Sequence, residues 1–215
     1  RNRPIFGIYE NIYGFYDKPV FENKKKKYWQ KPENNLILNV ASQKLHDFFQ
    51  NKAKLDEVFD LDKWAAYFAI IDLTSNYHGA LLKSVKLYYN PLNGLFEPIP
   101  YDGHRLKPNY HKYNLNYDSR ILIDIVQNPI GAEVSGYTWL RKFFYKEENI
   151  NQNFYNLYSE YLNKISSKKY IDDFLKKNLK KIKNINSNIY SDYFFYDNSR
   201  NYCVCLYYFF FILFI

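Results

Sequence analysis

The chain contains no methionine and only seven glycines, scattered singly along 215 residues. A phosphate-cradling loop or a dinucleotide fingerprint needs several glycines within a few positions, so neither is present. With no methionine and Arg1 at its head, the sequence reads as a fragment or a processed chain. Cysteine is equally scarce. Cys203 and Cys205 are one residue apart; on a strand they would share a face, and a disulfide between them would be strained. His46, His78, His104 and His111 are too scattered to complete a zinc-ligand pattern with them. Free buried thiols are the simpler reading. No leader peptide is visible, although a missing N-terminus would remove one.

Aromatic side chains are abundant: 24 Tyr and 18 Phe give ample material for a core, and Tyr also suits half-wet surfaces. The formal charge is +8, with one run from Lys24 to Lys27 and eight lysines between Lys164 and Lys183. A basic face can meet acidic proteins, nucleic acid or anionic lipid. A solvated helix face and a surface loop explain the same lysines more simply. No nucleic-acid signature accompanies them, so no nucleic-acid partner is expected. From Cys203 to Ile215 charge vanishes. As a helix, that tail would span about 20 Å against a bilayer core of ~30 Å. It reads as a buried strand, a membrane helix cut short, or an out-of-frame translation product. A membrane partner is expected only in the second case.

The pattern divides the chain into a domain over 1–200 and an apolar tail over 201–215. Pro4 to Gln30 reads as extended segments joined by turns, with Phe6, Ile8, Ile12, Phe15, Val20 and Phe21 available to a sheet. Pro32 to Asn35 reads as a connector, and Ser42 to Gln50 as a helix. Lys107 to Tyr117 has no period and reads as a loop; Ser119 to Gln127 reads as a strand or short helix. Asn151–Ile165 and Ser167–Ile185 carry apolar residues at helical spacing. The predicted class is α+β: sheet elements first, a central β-hairpin, helices after.

The most informative stretch runs from Phe59 to Arg105. Asp60 and Asp62 are N-cap candidates. Trp64, Ala65, Phe68 and Ala69 then form an apolar stripe at helical period, with Asp72 on the same face. Thr74-Ser75-Asn76 ends that helix. Val85, Leu87 and Tyr89 alternate with Lys86 and Tyr88 as a half-buried strand does. Pro91-Leu92-Asn93-Gly94 is a turn, and Leu95 to Pro100 returns as the second strand. A hairpin brings its outer ends together. His78, before it, and Asp102, after it, are therefore expected to face one cleft. An aspartate beside glycine at a strand end can hold a divalent cation, and a group opposite can orient or deprotonate a hydroxyl. The same layout also reads as a plain hairpin with a surface aspartate and a locally bonded histidine.

Asn76-Tyr77-His78, then Lys86-Leu87-Tyr88-Tyr89-Asn90-Pro91, then Glu97-Pro98-Ile99-Pro100-Tyr101-Asp102-Gly103 together resemble the CotH-type spore-coat kinase family. The clear likeness covers about a quarter of the chain. It implies a kinase-like catalytic lobe, N-terminally incomplete, that transfers phosphate from ATP to a protein hydroxyl with Mg²⁺. Asp102 matches the aspartate that binds metal and nucleotide phosphates. His78 matches the catalytic-loop position, where the family often has Asp; Lys86 falls to cofactor binding. Ser84 stands where the family places an Asn metal ligand, with Lys83 beside it, and His104 stands where a second aspartate is frequent. These departures imply weakened transfer or, alternatively, an inactive kinase-like binding or structural module of a coat or cell surface. The implied partner is a protein substrate, and the implied setting is extracellular or at the cell surface.

Overall fold

A computed structural model of the chain describes residues 2–11, 16–22, 25–74, 77–101, 138–147 and 149–192. Strand β1, Ile5–Glu10, pairs antiparallel with β2, Tyr16–Phe21. A short helix α1, Lys26–Trp29, leads into α2, Pro32–Phe49. One turn of helix, α3, Leu55–Val58, precedes α4, Leu61–Leu73. A 3-10 turn, Tyr77–Ala80, leads to the hairpin of β3, Lys86–Asn90, and β4, Leu95–Ile99. After a second 3-10 turn, Thr138–Leu140, come α5, Arg141–Phe144, and the small pair β5, Tyr145–Lys146, with β6, Asn149–Ile150. The last described elements are α6, Gln152–Ser166, and α7, Lys168–Asp192. The class is α+β, as the sequence predicts.

The main sheet has the order β2-β1-β3-β4 and is antiparallel throughout. Period-2 alternation gives it two unlike faces. Register aligns Phe6 with Phe21 and Leu87, and Leu87 with Pro98, so these four share the face toward the helices. Gly7, Val20, Lys86 and Ile99 align on the other face. Both edge strands carry a proline, Pro19 and Pro98. A residue without an N–H is compatible with an edge and discourages a further strand from adding there.

Helix α4 is the hub. Beyond the predicted stripe, Tyr67, Ile70 and Ile71 are buried too, so it is apolar nearly all round, as a central helix must be. Asp60 caps it, its carboxylate accepting the Lys63 N–H at 3.3 Å. Trp64 is fully buried among Phe59, Phe68, Trp139 and Phe143, with ring centroids 5.3–5.6 Å apart. Its indole N–H donates to the Phe96 carbonyl at 2.9 Å, and the Asp60 N–H donates to the same oxygen at 3.1 Å. Two donors from the helix start thus fix β4 against α4. Along the opposite flank lies α6, where the Tyr158 hydroxyl donates to Asp72 and the Tyr161 hydroxyl to Asp62 at 2.8 Å.

Three expectations need correction. Pro32–Asn35 is not a connector but the first turn of α2, because proline at the first helical position presets φ and lacks only an N–H that would go unused. Part of the Pro4–Gln30 stretch, Lys26–Trp29, is helical rather than extended, and buries Trp29 against Phe21. Asp62 is not the cap; it lies within the first turn and serves Tyr161. The two C-terminal helices stand as read, with Asn151 capping α6 through Phe154 N–H and α7 running on to Asp192. Ile12, Phe15, the Lys107–Tyr117 loop, the Ser119–Gln127 element and the tail lie outside the described residues.

Trp64→Phe keeps an aromatic ring but removes one donor to Phe96 and leaves a gap. The expected loss is about 2 kcal/mol of unfolding free energy. Urea denaturation checks it: the midpoint falls while the slope is unchanged.

Candidate functional site

The site is built around the 3-10 turn Tyr77–Ala80, which holds the backbone of His78 between α4 and the hairpin. Two buried rings grip this turn. The Tyr67 hydroxyl, from α4, donates to the Gly79 carbonyl at 2.9 Å. The Trp139 indole donates to the Ala80 carbonyl at 2.8 Å. Neighbouring carbonyls of one short turn are thus satisfied by donors from distant parts of the chain, which restrains it where its own backbone bonds are few.

Gly79 shows where the turn lies relative to the hairpin's far end. A Cβ added to it would stand 3.1 Å from the Tyr67 hydroxyl and 3.3 Å from the Tyr101 carbonyl oxygen. The backbone next to His78 therefore lies close to the backbone next to Asp102, with no room between them for a side chain. The His78 side chain and all of Asp102 lie outside the described residues, as does His104.

The other predicted positions are described. Ser84 is buried, and its N–H donates to the Leu81 carbonyl at 2.9 Å in the turn that launches β3. Lys83 beside it is exposed. Across the sheet end lies Glu10, with Oε2 buried and no hydrogen-bond partner among the described residues. Burial raises the Glu10 carboxyl above its ordinary range, and the positive charge of Lys83 partly offsets this. Lys86 projects from the sheet face turned away from the helices. It pairs with Glu22, and its Nζ stands 5.0 Å from the centroid of the Tyr101 ring. Among the described residues no group of three His, Cys, Asp or Glu side chains gathers as a metal site, and no helix is long and apolar enough to cross a membrane.

Residues 9–202 match the family described as CotH kinase protein. The chain belongs to the CotH kinase family. No curated protein and no solved structure matches it. Membership carries a kinase-like function at the level of the family, and with it the general use of ATP and a metal ion.

Within this CotH-kinase chain, sequence reading missed Tyr67, Gly79, Trp139, Glu22 and Gly7. Only the glycines gave a signal. Gly7 interrupts an apolar strand and Gly79 follows the candidate histidine, positions where glycine often marks close backbone approach. The rest depends on contacts distant in sequence.

Tyrosine burial gives the molecule an alkaline limit. Burial first, then the Asp17 charge, pushes Tyr16 from 10.0 up to about 12. The hydrogen bond to Asp62, then burial, pushes Tyr161 up to about 12. Burial alone pushes Tyr67 higher still. A raised folded-state value means full stability below the unfolded value of 10.0 and loss as pH climbs through about 12. Unfolding free energy should hold level to pH 10 on the tyrosine account and then decline, while Tyr67→Phe should flatten part of the decline. Stability measured by urea at stepped alkaline pH decides this, and a level curve through pH 12 contradicts it.

Proposed function

We propose that this CotH-kinase chain transfers the terminal phosphoryl group of ATP to a hydroxyl of a protein substrate at a cell surface or outside the cell. The observation that carries the reading is the Gly79–Tyr101 backbone approach, which brings together the neighbours of His78 and Asp102. In the proposed roles Asp102 would hold the metal and, through it, the nucleotide phosphates, and His78 lies beside the acceptor hydroxyl. Bound Mg²⁺ would supply positive charge against the phosphate oxygens. The acceptor oxygen attacks the terminal phosphorus and loses its proton to the neutral His78 imidazole. The bond from that phosphorus to the bridging oxygen breaks, and ADP leaves. An imidazole can accept the proton but cannot hold a cation as a carboxylate does.

Ser84 favours a weakened version of this chemistry. It is 4% exposed, so its hydroxyl is a poor candidate for a second metal ligand, and Lys83 adds like charge next to it. The second reading, a kinase-like module that binds a partner without catalysis, rests on the same burial.

Calorimetric titration of the full chain with MgATP tests the proposal. Asp102→Ala should abolish Mg²⁺-dependent binding with an unchanged circular dichroism spectrum, because a carboxylate ligand contributes charge to the metal and little to a core. Unaltered affinity in that variant returns Asp102 to a turn-forming role. Nucleotide binding without phosphate transfer to any offered hydroxyl supports the second reading.

A further inference from the structure

The sheet face turned away from the helices carries an arrangement that the roles proposed for His78 and Asp102 leave unused. Glu22 follows β2 and is tied to β1 by its N–H, which donates to the Ile5 carbonyl at 3.0 Å. Its carboxylate pairs with Lys86 on β3. The pair occupies the space above Gly7 of β1: a Cβ there would collide with the Glu22 carboxylate and lie 3.1 Å from Lys86 Nζ. The Lys86 side chain is 16% exposed, and its head lies between the Glu22 carboxylate and the Tyr101 ring. Tyr101 is the last described residue before Asp102, and its carbonyl is the atom that approaches Gly79.

We propose that Lys86 is a positioning residue. Seated over Gly7 by Glu22, it holds the Tyr101 ring by its cationic head and so fixes the segment that presents Asp102. The physical case is directional. A lysine with a buried stem and a carboxylate partner has little freedom left, and a ring attracted to its charge is restrained with it. Tyr101 has much to gain, because it is 53% exposed and lies beyond the end of β4. Gly7 is required because any side chain would displace the ion pair. The consequence for catalysis rests on the phosphoryl-transfer reading; the positioning itself does not.

The test uses the full chain with Lys86→Met, which keeps the stem and removes the charge, and with Tyr101→Leu, Tyr101→Phe and the Lys86→Met/Tyr101→Leu double variant. Two quantities are measured: amide hydrogen exchange at Tyr101 and the residues just after it, and calorimetric affinity for MgATP. Lys86→Met and Tyr101→Leu should each speed exchange there and weaken MgATP binding, by about three- to fivefold for a half-exposed cation–π contact. The double variant should be no worse than either single one, and Tyr101→Phe should behave as the unaltered chain. Gly7→Ala should copy Lys86→Met if it folds; Lys86→Met decides the matter if it does not. Unchanged exchange in Lys86→Met overturns the proposal. So does weak binding in Lys86→Met with normal binding in Tyr101→Leu, which would put the ammonium on the phosphates directly. If the unaltered chain binds no MgATP, the phosphoryl-transfer reading fails, and the exchange measurement alone still decides the positioning role.

Discussion

The Phe96 carbonyl is the hinge-pin of this fold. It accepts the Trp64 indole N–H and the Asp60 backbone N–H, both from the start of α4. A carbonyl has two lone-pair directions, and here both are used by one helix. The two bonds converge on one oxygen and pin the strand there; the antiparallel pairing of β4 with β3 and the surrounding ring packing set its direction. The β3–β4 hairpin is therefore fixed in orientation as well as position. Around that point the rings of Phe59, Phe68, Trp139 and Phe143 close on Trp64, mostly edge to face. Burying an indole of that size without its partner carbonyl would leave a donor unsatisfied in an apolar core.

Everything proposed about chemistry follows from that fixed hairpin. Its near end starts at Ser84 and its far end leaves at Tyr101, both beside the turn that carries His78. Tyr67, three residues along α4 from Trp64, bonds the turn itself. The same helix thus positions the hairpin and the histidine-bearing turn. Trp139 adds a bond from beyond the hairpin and packs on Trp64, which couples the second half of the chain to the same hub. Ion pairs flank the sheet: Lys63 bridges Asp60 and Glu97 at 3.0 and 2.7 Å on one side, and Lys86 pairs with Glu22 on the other. Exposed pairs of this kind contribute little stability but restrict where side chains point.

Much of this was legible without coordinates. The stripe from Trp64 to Ala69, the Pro91–Gly94 turn and the periodic helices after Asn151 all appear where local pattern placed them, because helix period and turn chemistry act over a few residues. Gly94 takes φ of 70° and donates its N–H to Asn90 at 2.8 Å, as the turn residues require. Pro32 misled for an equally local reason: proline marks helix starts as readily as connectors. Ser84 and Lys86 were picked out by position in a motif. Their surroundings, a buried turn for one and a carboxylate with an aromatic ring for the other, were not.

By itself the sequence determined the α+β class, the hairpin between a central helix and later helices, and the likeness to the CotH kinase family. Each rests on short-range spacing within successive segments. The tertiary structure decided which distant groups meet: Trp64 with Phe96, Tyr67 with Gly79, Trp139 with Ala80, Glu22 with Lys86. Such contacts join residues 12 to 64 positions apart, and no local period encodes them. They arise because most buried donors in a core are satisfied by an acceptor, and which acceptor each one meets is decided by the whole chain.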